Sequence, residues 1–184
     1  SVVVEPGATN VGDYAFYACL KLAEAEPTEE TEEVLPETGV IEDVAALEAG
    51  VVASGTCGEN VTWVLGDDGV LTISGEGKMP DYSTSSVAPW YSKRIKITSV
   101  VVEPGVTNVG DYAFYACLKL VEVELPEGMT DIGWGAFRDC AKLKAVEIPE
   151  SVTSIGQSAF RGCSGLTSVS IPDGVTSIEW YAFY

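Results

Sequence analysis

The sequence predicts a repeat solenoid, a right-handed coil of short strands and helical turns with a 23-residue period and a β-hairpin cap at its N-terminal end. The first observation behind this prediction is an Ala-Phe doublet that recurs at that interval in the second half of the chain. A fixed period of about 20 to 50 residues is typical of stacked repeats. The doublets begin at Ala113, Ala136, Ala159 and Ala182, with one further copy upstream at Ala15.

The second observation is a strand signal in each repeat. In one repeat, Val146 and Ile148 alternate with polar residues, as in a strand with one buried face. Pro149 ends the strand, because proline has no N–H with which to extend a hydrogen-bonded ladder. Val152 and Ile155 then supply a second pair of inward side chains. A single repeat cannot bury these faces alone, so neighbouring repeats must stack.

The third observation is that the phenylalanines and cysteines of the repeats form columns. Strands in a sheet lie about 4.8 Å apart, so the phenylalanines should form a continuous buried column. An odd number of cysteines, five, at repeat spacing favours buried free thiols, with disulfides or a metal site as the alternatives. The columns are Phe114, Phe137, Phe160 and Phe183, and Cys117, Cys140 and Cys163, with Cys19 in the upstream copy.

Residues 1–26 are an isolated copy of the repeat. They match residues 99–124 except that alanine replaces valine at three positions. A shorter side chain at an inward position loses packing, so this copy should be the weakest turn. The replaced positions are Ala8, Ala23 and Ala25, which correspond to Val106, Val121 and Val123.

Residues 27–50 are predicted to be an acidic linker, because their glutamates follow no apolar period. Within this linker, Leu35-Pro36-Glu37-Thr38-Gly39 fits the sorting pentapeptide of cell-wall-anchored proteins. Such a signal needs a hydrophobic segment and a basic tail after it, whereas the acidic residues Glu42 and Asp43 follow here. The match is therefore either a coincidence or a processing or ligation scar.

Residues 51–98 are predicted to form a β-hairpin capping unit for the repeat array over residues 99–184. Two alternating segments, at 61–65 and 71–73, flank the turn residues Gly66-Asp67-Asp68-Gly69. A hairpin with one apolar face would cover the first coil, which otherwise exposes apolar side chains. Trp90 either packs this cap onto the first coil or provides a platform for a ligand.

The spacing of the repeat carries a family resemblance. The run Ile-Pro-x-x-Val-Thr-x-Ile-Gly-x-x-Ala-Phe-x-x-Cys-x-x-Leu, at residues 148–166, resembles the BspA-like leucine-rich repeat of bacterial surface proteins. The resemblance covers residues 99–184 and 1–26, and the segment 55–91 is similar to the piece that precedes such arrays in secreted proteins of gut bacteria. It implies a leucine-rich-repeat coil and an extracellular or cell-surface binding protein, with any signal peptide and anchor outside this sequence.

Composition excludes several classes of function. Ten basic residues against 28 acidic ones give a net charge of −18, which repels phosphate backbones and anionic membranes, so we expect no nucleic-acid partner. The sequence has no run of about 18 apolar residues, so we expect no membrane insertion. The absence of histidine removes Ser-His-Asp and Cys-His catalysis and His-ligated zinc. We therefore expect no enzyme activity, no cofactor and no metal.

Two surfaces are candidates for binding a partner. One is the exposed side of the strands, where Glu124 and Glu147 should stack about 4.8 Å apart and either bind a cation or a basic partner or extend into water. The other is the edge formed by the turns, whose Trp and Arg residues either anchor an interface or cover gaps between coils. The candidate residues are Glu122, Glu124, Glu147, Trp134, Arg138, Arg161 and Trp180.

These surfaces support two hypotheses of function. The first is a recognition or adhesion module that binds an extracellular protein or a glycan, and the second is a structural spacer with no ligand. A separate prediction concerns the ends of the chain, since Ile178 and Phe183 should lie uncovered on the last coil. Residues 1–26 should dock there, within the chain or head-to-tail on a neighbouring copy. The alternative is that they belong to a preceding solenoid.

Overall fold

The computed structural model describes Val2–Val4, Asn10–Val11 and residues 50–184. Most of the 1–26 copy and of the predicted linker, including Cys19, the three alanine replacements and Leu35–Gly39, therefore lies outside the described residues. The described strands are β1 (Val2–Val4), β2 (Asn10–Val11), β3 (Val51–Thr56), β4 (Val61–Gly66), β5 (Val70–Gly75), β6 (Ser99–Val102), β7 (Asn108–Val109), β8 (Glu122–Glu124), β9 (Asp131–Ile132), β10 (Ala145–Glu147), β11 (Ser154–Ile155), β12 (Ser168–Ile171) and β13 (Ser177–Ile178).

The repeat solenoid predicted from the sequence is confirmed. Each coil contributes one longer strand and one two-residue strand, and strands of successive coils pair in parallel. The short strands form one sheet in the order β2-β13-β11-β9-β7. From β7 to β13, partners in this sheet are one period apart, as in the pair Ile132 and Ile155. The longer strands occur in two sheets, with the orders β3-β4-β5-β6-β8 and β1-β12-β10.

The predicted helical turns are hydrogen-bonded turns that do not continue into helices. Among the described residues the helical element is a 3-10 helix at Tyr91–Lys96. In the turns, the Phe114 N–H donates to the Ala136 carbonyl of the next coil at 2.8 Å, so it is not available to a helix. Tyr112 and Ala116 also have positive φ angles of 51° and 55°, which interrupt a right-handed helix.

The phenylalanine column is confirmed by the stacking of successive rings. Ring centroids are 5.2 Å apart for Phe114 and Phe137, 5.3 Å for Phe137 and Phe160, and 5.1 Å for Phe160 and Phe183. All four rings are buried. Because each ring covers the next, this column forms the centre of one continuous apolar core that extends through the hairpin and the array.

The predicted hairpin forms from β4 and β5, which pair antiparallel, with β3 added on the outer side of β4. β5 then pairs in parallel with β6, so the hairpin continues directly into the first coil. Trp90 is 1% exposed and stacks on Phe114 at 5.6 Å, and its Nε1–H donates to the Ala113 carbonyl at 2.8 Å. The packing interpretation of Trp90 is therefore confirmed.

Asn108 closes the edge of the short-strand sheet at β7. Its Oδ1 accepts a hydrogen bond from the Met79 N–H at 2.8 Å, and its Nδ2 donates to the Met79 carbonyl at 3.1 Å. The amide side chain thus makes the two hydrogen bonds that a neighbouring strand would otherwise offer to the Met79 backbone. This matters because buried backbone groups without partners destabilise a fold.

The outgoing end of the array is covered, as docking of the N-terminal copy on the last coil requires. Ile178 and Phe183 are 1% and 4% exposed. β1 pairs with β12, with Val2 opposite Val169, and β2 pairs with β13, with Val11 opposite Ile178. Thus the N-terminal strands lie beside the last coil of their own chain, in the place where a further coil would begin.

The cysteine column consists of free thiols, as predicted for the residues that the structure describes. Cys57, Cys117, Cys140 and Cys163 are free and buried. The Sγ atoms of Cys140 and Cys163 donate to the carbonyls of Phe114 and Phe137, one coil back, at 3.1 and 3.0 Å. Burial raises the pKa of Cys117 and of Cys163 from 9.0 to about 12.

We expect the stability of the fold to decrease as the pH rises from about 9 to about 12. Unfolded thiols ionise near pH 9, whereas Cys117 and Cys163 keep their protons in the folded state until about pH 12. The contribution of these two protonated thiols to the free energy of unfolding is therefore complete below pH 9 and is lost progressively between about pH 9 and pH 12. Urea midpoints at pH 8 and pH 10.5 measure the effect, and a variant with both cysteines replaced by alanine should lose less stability. An equal loss in both proteins would contradict this assignment.

Candidate interaction surfaces

One edge is formed by the 3-10 helix and by the turns that follow the short strands, and it carries Trp134, Trp180 and Tyr184, the exposed aromatic side chains among residues 50–184. We call it the aromatic edge. It contains all three arginines of the chain, and each guanidinium lies over a tyrosine ring. Its residues are Tyr91, Arg94, Tyr112, Tyr115, Trp134, Arg138, Arg161, Trp180, Tyr181 and Tyr184.

The arginines of the edge are held by stacking. The Cζ atom of Arg94 lies 4.1 Å from the centroid of Tyr91, that of Arg138 lies 5.8 Å from Tyr115, and that of Arg161 lies 5.1 Å from Tyr184. These distances are within the range of a cation–π interaction. A stacked guanidinium loses less side-chain freedom when a partner binds its remaining N–H groups, so the edge is partly preorganised for binding.

The two tryptophans predicted at the edge are half-exposed. Trp134 is 46% exposed and Trp180 is 51% exposed. The ring of Trp134 packs edge-to-face on buried Tyr112 at 5.2 Å, so part of this side chain supports the neighbouring coil while the rest contacts solvent. The packing alternative that the sequence left open therefore holds for part of the Trp134 ring, and the role of its exposed part in binding a partner stays a prediction.

The backbone that presents Trp134 is fixed by contacts between coils. Its N–H donates to the Asp111 carboxylate at 2.7 Å. Gly133 is required before it, because a Cβ there would lie 2.7 Å from the Asp111 backbone nitrogen. Burial raises the pKa of the Asp111 carboxyl, while the hydrogen bond from Trp134 opposes this shift.

The predicted glutamates lie where two sheets meet. Glu122 and Glu124 are exposed on β8, and Glu147 is exposed on β10. The middle residue of each strand, Val123 or Val146, is buried. β8 and β10 are neighbours, yet β8 ends one sheet and β10 ends the other. The two strands are not hydrogen-bonded to each other, so the continuous strand ladder expected at Glu124 and Glu147 is interrupted between them. Like charges opposite each other destabilise strand pairing, which is consistent with an interruption here.

A groove of about 450 Å³ lies at this interruption. Three of its lining residues are the predicted glutamates, and the others are small or apolar. The structure thus brings the three glutamates together on the strand side and keeps the predicted tryptophans and arginines on the aromatic edge. The groove is lined by Glu122, Val123, Glu124, Leu125, Ala145 and Glu147.

Comparison with known families decides the class of the chain. The sequence model of the BspA type leucine rich repeat region (6 copies) matches residues 89–184, which is more than half of the chain. The chain belongs to the BspA-type leucine-rich repeat family. No curated protein matches it.

Solved structures agree with the assignment to the BspA-type family. A leucine-rich repeat protein from Eubacterium ventriosum is 32% identical with a TM-score of 0.54, over 69% of this chain and 40% of that one. The leucine-rich repeat protein TpLRR of T. pallidum is 26% identical with a TM-score of 0.51, over 70% and 65% of the two chains. This chain therefore spans less than two thirds of the length of either protein.

Sequence reasoning missed part of the aromatic edge of this BspA-type array. Tyr91 and Arg94 come from the 3-10 helix before the array, and Tyr91 stacks on Tyr115 at 6.4 Å. The column Tyr115, Arg138, Arg161 and Tyr184 did not indicate Tyr91, because the position one period before Tyr115 is Ser92. Within residues 50–184, no group of His, Cys, Asp or Glu side chains is arranged to hold a metal ion, and no helix is long and apolar enough to cross a bilayer.

Proposed function

We propose that this chain is a non-catalytic recognition module, located at a bacterial cell surface or secreted, that binds a protein or glycan partner through its aromatic edge. The observation that carries this proposal is the placement of all three arginines of the chain over tyrosine rings, beside two half-exposed tryptophans. Tryptophan, tyrosine and arginine are the residue types enriched at binding hot spots. Repeat arrays also offer extended binding surfaces.

Family membership supports both parts of this proposal. The chain belongs to the BspA-type family, and the resemblance of its repeats to those of bacterial surface proteins supports a location outside the cell. The buried core supports the absence of catalysis, because side chains fill the space between the sheets and the turns from Trp90 to Phe183. Binding then depends on surface residues, which can vary without disturbing the stacked columns.

The partner can be identified with the purified chain on arrays of glycans and of extracellular proteins. We expect Trp134→Ala and Arg138→Lys each to weaken binding of the identified partner at least about tenfold. Arg138→Lys keeps the charge but removes the planar guanidinium, so it tests stacking and bidentate hydrogen bonding specifically. The affinity is measured by calorimetry, and circular dichroism checks that each variant is folded.

The matched control is Val64→Ala, which shortens an exposed residue of the hairpin, on β4. It should bind with the affinity of the parent chain. If all three variants bind equally, the partner does not use the aromatic edge. If the parent chain binds no partner in either array, the chain is better described as the spacer that the sequence left as the alternative.

A further inference from the structure

We propose that the aromatic edge and the lysines beside it form a cationic surface that binds an anionic glycan, whose sugar rings carry carboxylate or sulfate groups. This inference rests on the proposed function, since it names the class of partner for the same edge. Its first support is the segregation of charge. The 3-10 helix and the turns, at 91–96, 111–121, 134–144 and 157–167, contain eight of the nine basic residues within residues 50–184, but only two of the sixteen acidic ones.

Three of these basic residues form a lysine column beside the aromatic edge. Lys96, Lys119 and Lys142 are 23 residues apart, and all three are exposed. Backbone hydrogen bonds keep the coils in register here, such as the one from the Lys144 N–H to the Val121 carbonyl at 3.1 Å. Neighbouring coils are about 4.8 Å apart, which is less than a Debye length of about 8 Å, so the lysine charges repel one another. An anion that bridges them replaces this repulsion with attraction.

Both acidic residues in these turns are engaged by the edge itself. The Asp111 carboxylate accepts the hydrogen bond from the Trp134 N–H at 2.7 Å. The Oδ2 atom of Asp139 lies 3.4 Å from the Nε atom of Arg138. Within residues 50–184 the lysines of the column make no ion pair with a carboxylate. Their charges are therefore available to an anionic partner.

The net charge of −18 does not prevent an anion from binding at this edge. Fourteen of the sixteen acidic residues within residues 50–184 lie outside these turns. Charges on the surface that are farther from the ligand than about 8 Å are largely screened at physiological ionic strength. An anionic ligand on the edge therefore responds mainly to the cations beside it, while the acidic remainder of the surface directs it to this edge.

The hydrogen bonds of the edge favour a glycan over a peptide. The Ala116 N–H donates to the Arg138 carbonyl at 2.9 Å, and the Asp139 N–H donates to the Arg161 carbonyl at 2.7 Å. These backbone groups are not available to pair with an extended peptide, which is a common way of holding one. Recognition by side chains remains. The exposed part of the Trp134 ring can pack on the C–H face of a sugar, while guanidinium and ammonium groups bind the anionic groups on its rim.

Calorimetry with the full chain and glycans of known charge tests the inference. The probes are chondroitin sulfate, heparin, and chondroitin whose sulfates have been removed and whose carboxylates have been reduced to alcohols. We expect both acidic glycans to bind and the neutral one to bind at least about tenfold more weakly, with binding of the acidic glycans falling as salt is added. Failure of both acidic glycans to bind, or equal binding of the neutral one, would overturn the inference.

Single substitutions locate the charges that matter. Lys119→Gln and Lys142→Gln should each weaken binding of the acidic glycans at least about threefold, because each removes one charge of the column and keeps a side chain of similar length. Lys78→Gln is the matched control. Lys78 is exposed and is the one basic residue within residues 50–184 that lies outside these turns, so the same change there should leave binding unaltered.

The outcomes separate this inference from the proposed function. If Trp134→Ala weakens binding but the two lysine variants bind as Lys78→Gln does, the edge binds its partner without using the lysine column. The proposed function then stands and the anionic glycan is overturned. A polyglutamate peptide or a single-stranded oligonucleotide that binds more tightly than both acidic glycans would also overturn it, in favour of a different class of anionic partner.

Discussion

Replacing Phe137 with alanine should lower the free energy of unfolding by about 3–5 kcal/mol, the largest effect that we expect from a single substitution. Phe137 is 0% exposed and stacks on a phenylalanine on both sides, at 5.2 and 5.3 Å. Its removal leaves a cavity in the middle of the column and takes a stacking partner from Phe114 and from Phe160. Urea denaturation followed by circular dichroism measures the loss.

The position of Phe137 also affects cooperativity. Coils contact mainly their neighbours, so the stability of an array depends on the interfaces between adjacent coils. A gap at Phe137 should uncouple the coils on its two sides and lower the slope of the urea transition. Leu118→Ala, at a side chain that is 39% exposed, is the control and should cost less than about 1 kcal/mol. A loss that small for Phe137→Ala would show that the column is not the main source of stability.

Replacing Trp90 with alanine should cost about 3–5 kcal/mol, because Trp90 joins the hairpin to the array. Its ring stacks on Phe114 and meets Trp63 edge-to-face at 5.8 Å, so the substitution opens a cavity between the two units. It also leaves the Ala113 carbonyl without its 2.8 Å hydrogen bond from the indole. Chemical denaturation of the variant and the parent chain measures this loss.

Two comparisons separate the contributions of Trp90. Trp90→Phe keeps an aromatic ring in the stack but removes the indole N–H, and should cost about 1–3 kcal/mol. Trp134→Ala deletes the same side chain at a half-exposed position and should cost clearly less than Trp90→Ala. Similar losses for Trp90→Ala and Trp134→Ala would contradict the role of Trp90 as the junction.

The sequence predicted the columns of the fold well, because the period itself identifies equivalent positions. Phe114, Phe137 and Phe160 occupy one column because they are 23 residues apart in parallel coils. The helical turns were predicted from the Ala-Phe and Cys positions of each repeat, and they are hydrogen-bonded turns that do not continue into helices. The reason is that the Phe114 N–H donates to Ala136 in the next coil, and such a hydrogen bond is not visible in local sequence.

The candidate surfaces were predicted in part. Alternation along β8 and β10 correctly placed Glu124 and Glu147 on the exposed side of the strands. Repeat columns singled out Trp134 and Arg138, both of which lie on the aromatic edge. The tyrosine beneath Trp134 could not be predicted, because position 112 holds glycine and serine in the next two repeats, at Gly135 and Ser158.

The sequence by itself determined the coil and its buried columns, because a strict period forces equivalent side chains to stack. Only the tertiary structure decided where this regularity ends. It placed the interruption of the sheet between β8 and β10, and, of the docking alternatives that the sequence left open, it placed β1 beside β12 of the same chain. Both depend on which strand edges find partners that are remote along the chain. Backbone hydrogen bonds between such remote strands are what joins them, and a repeat pattern does not encode which pairs form.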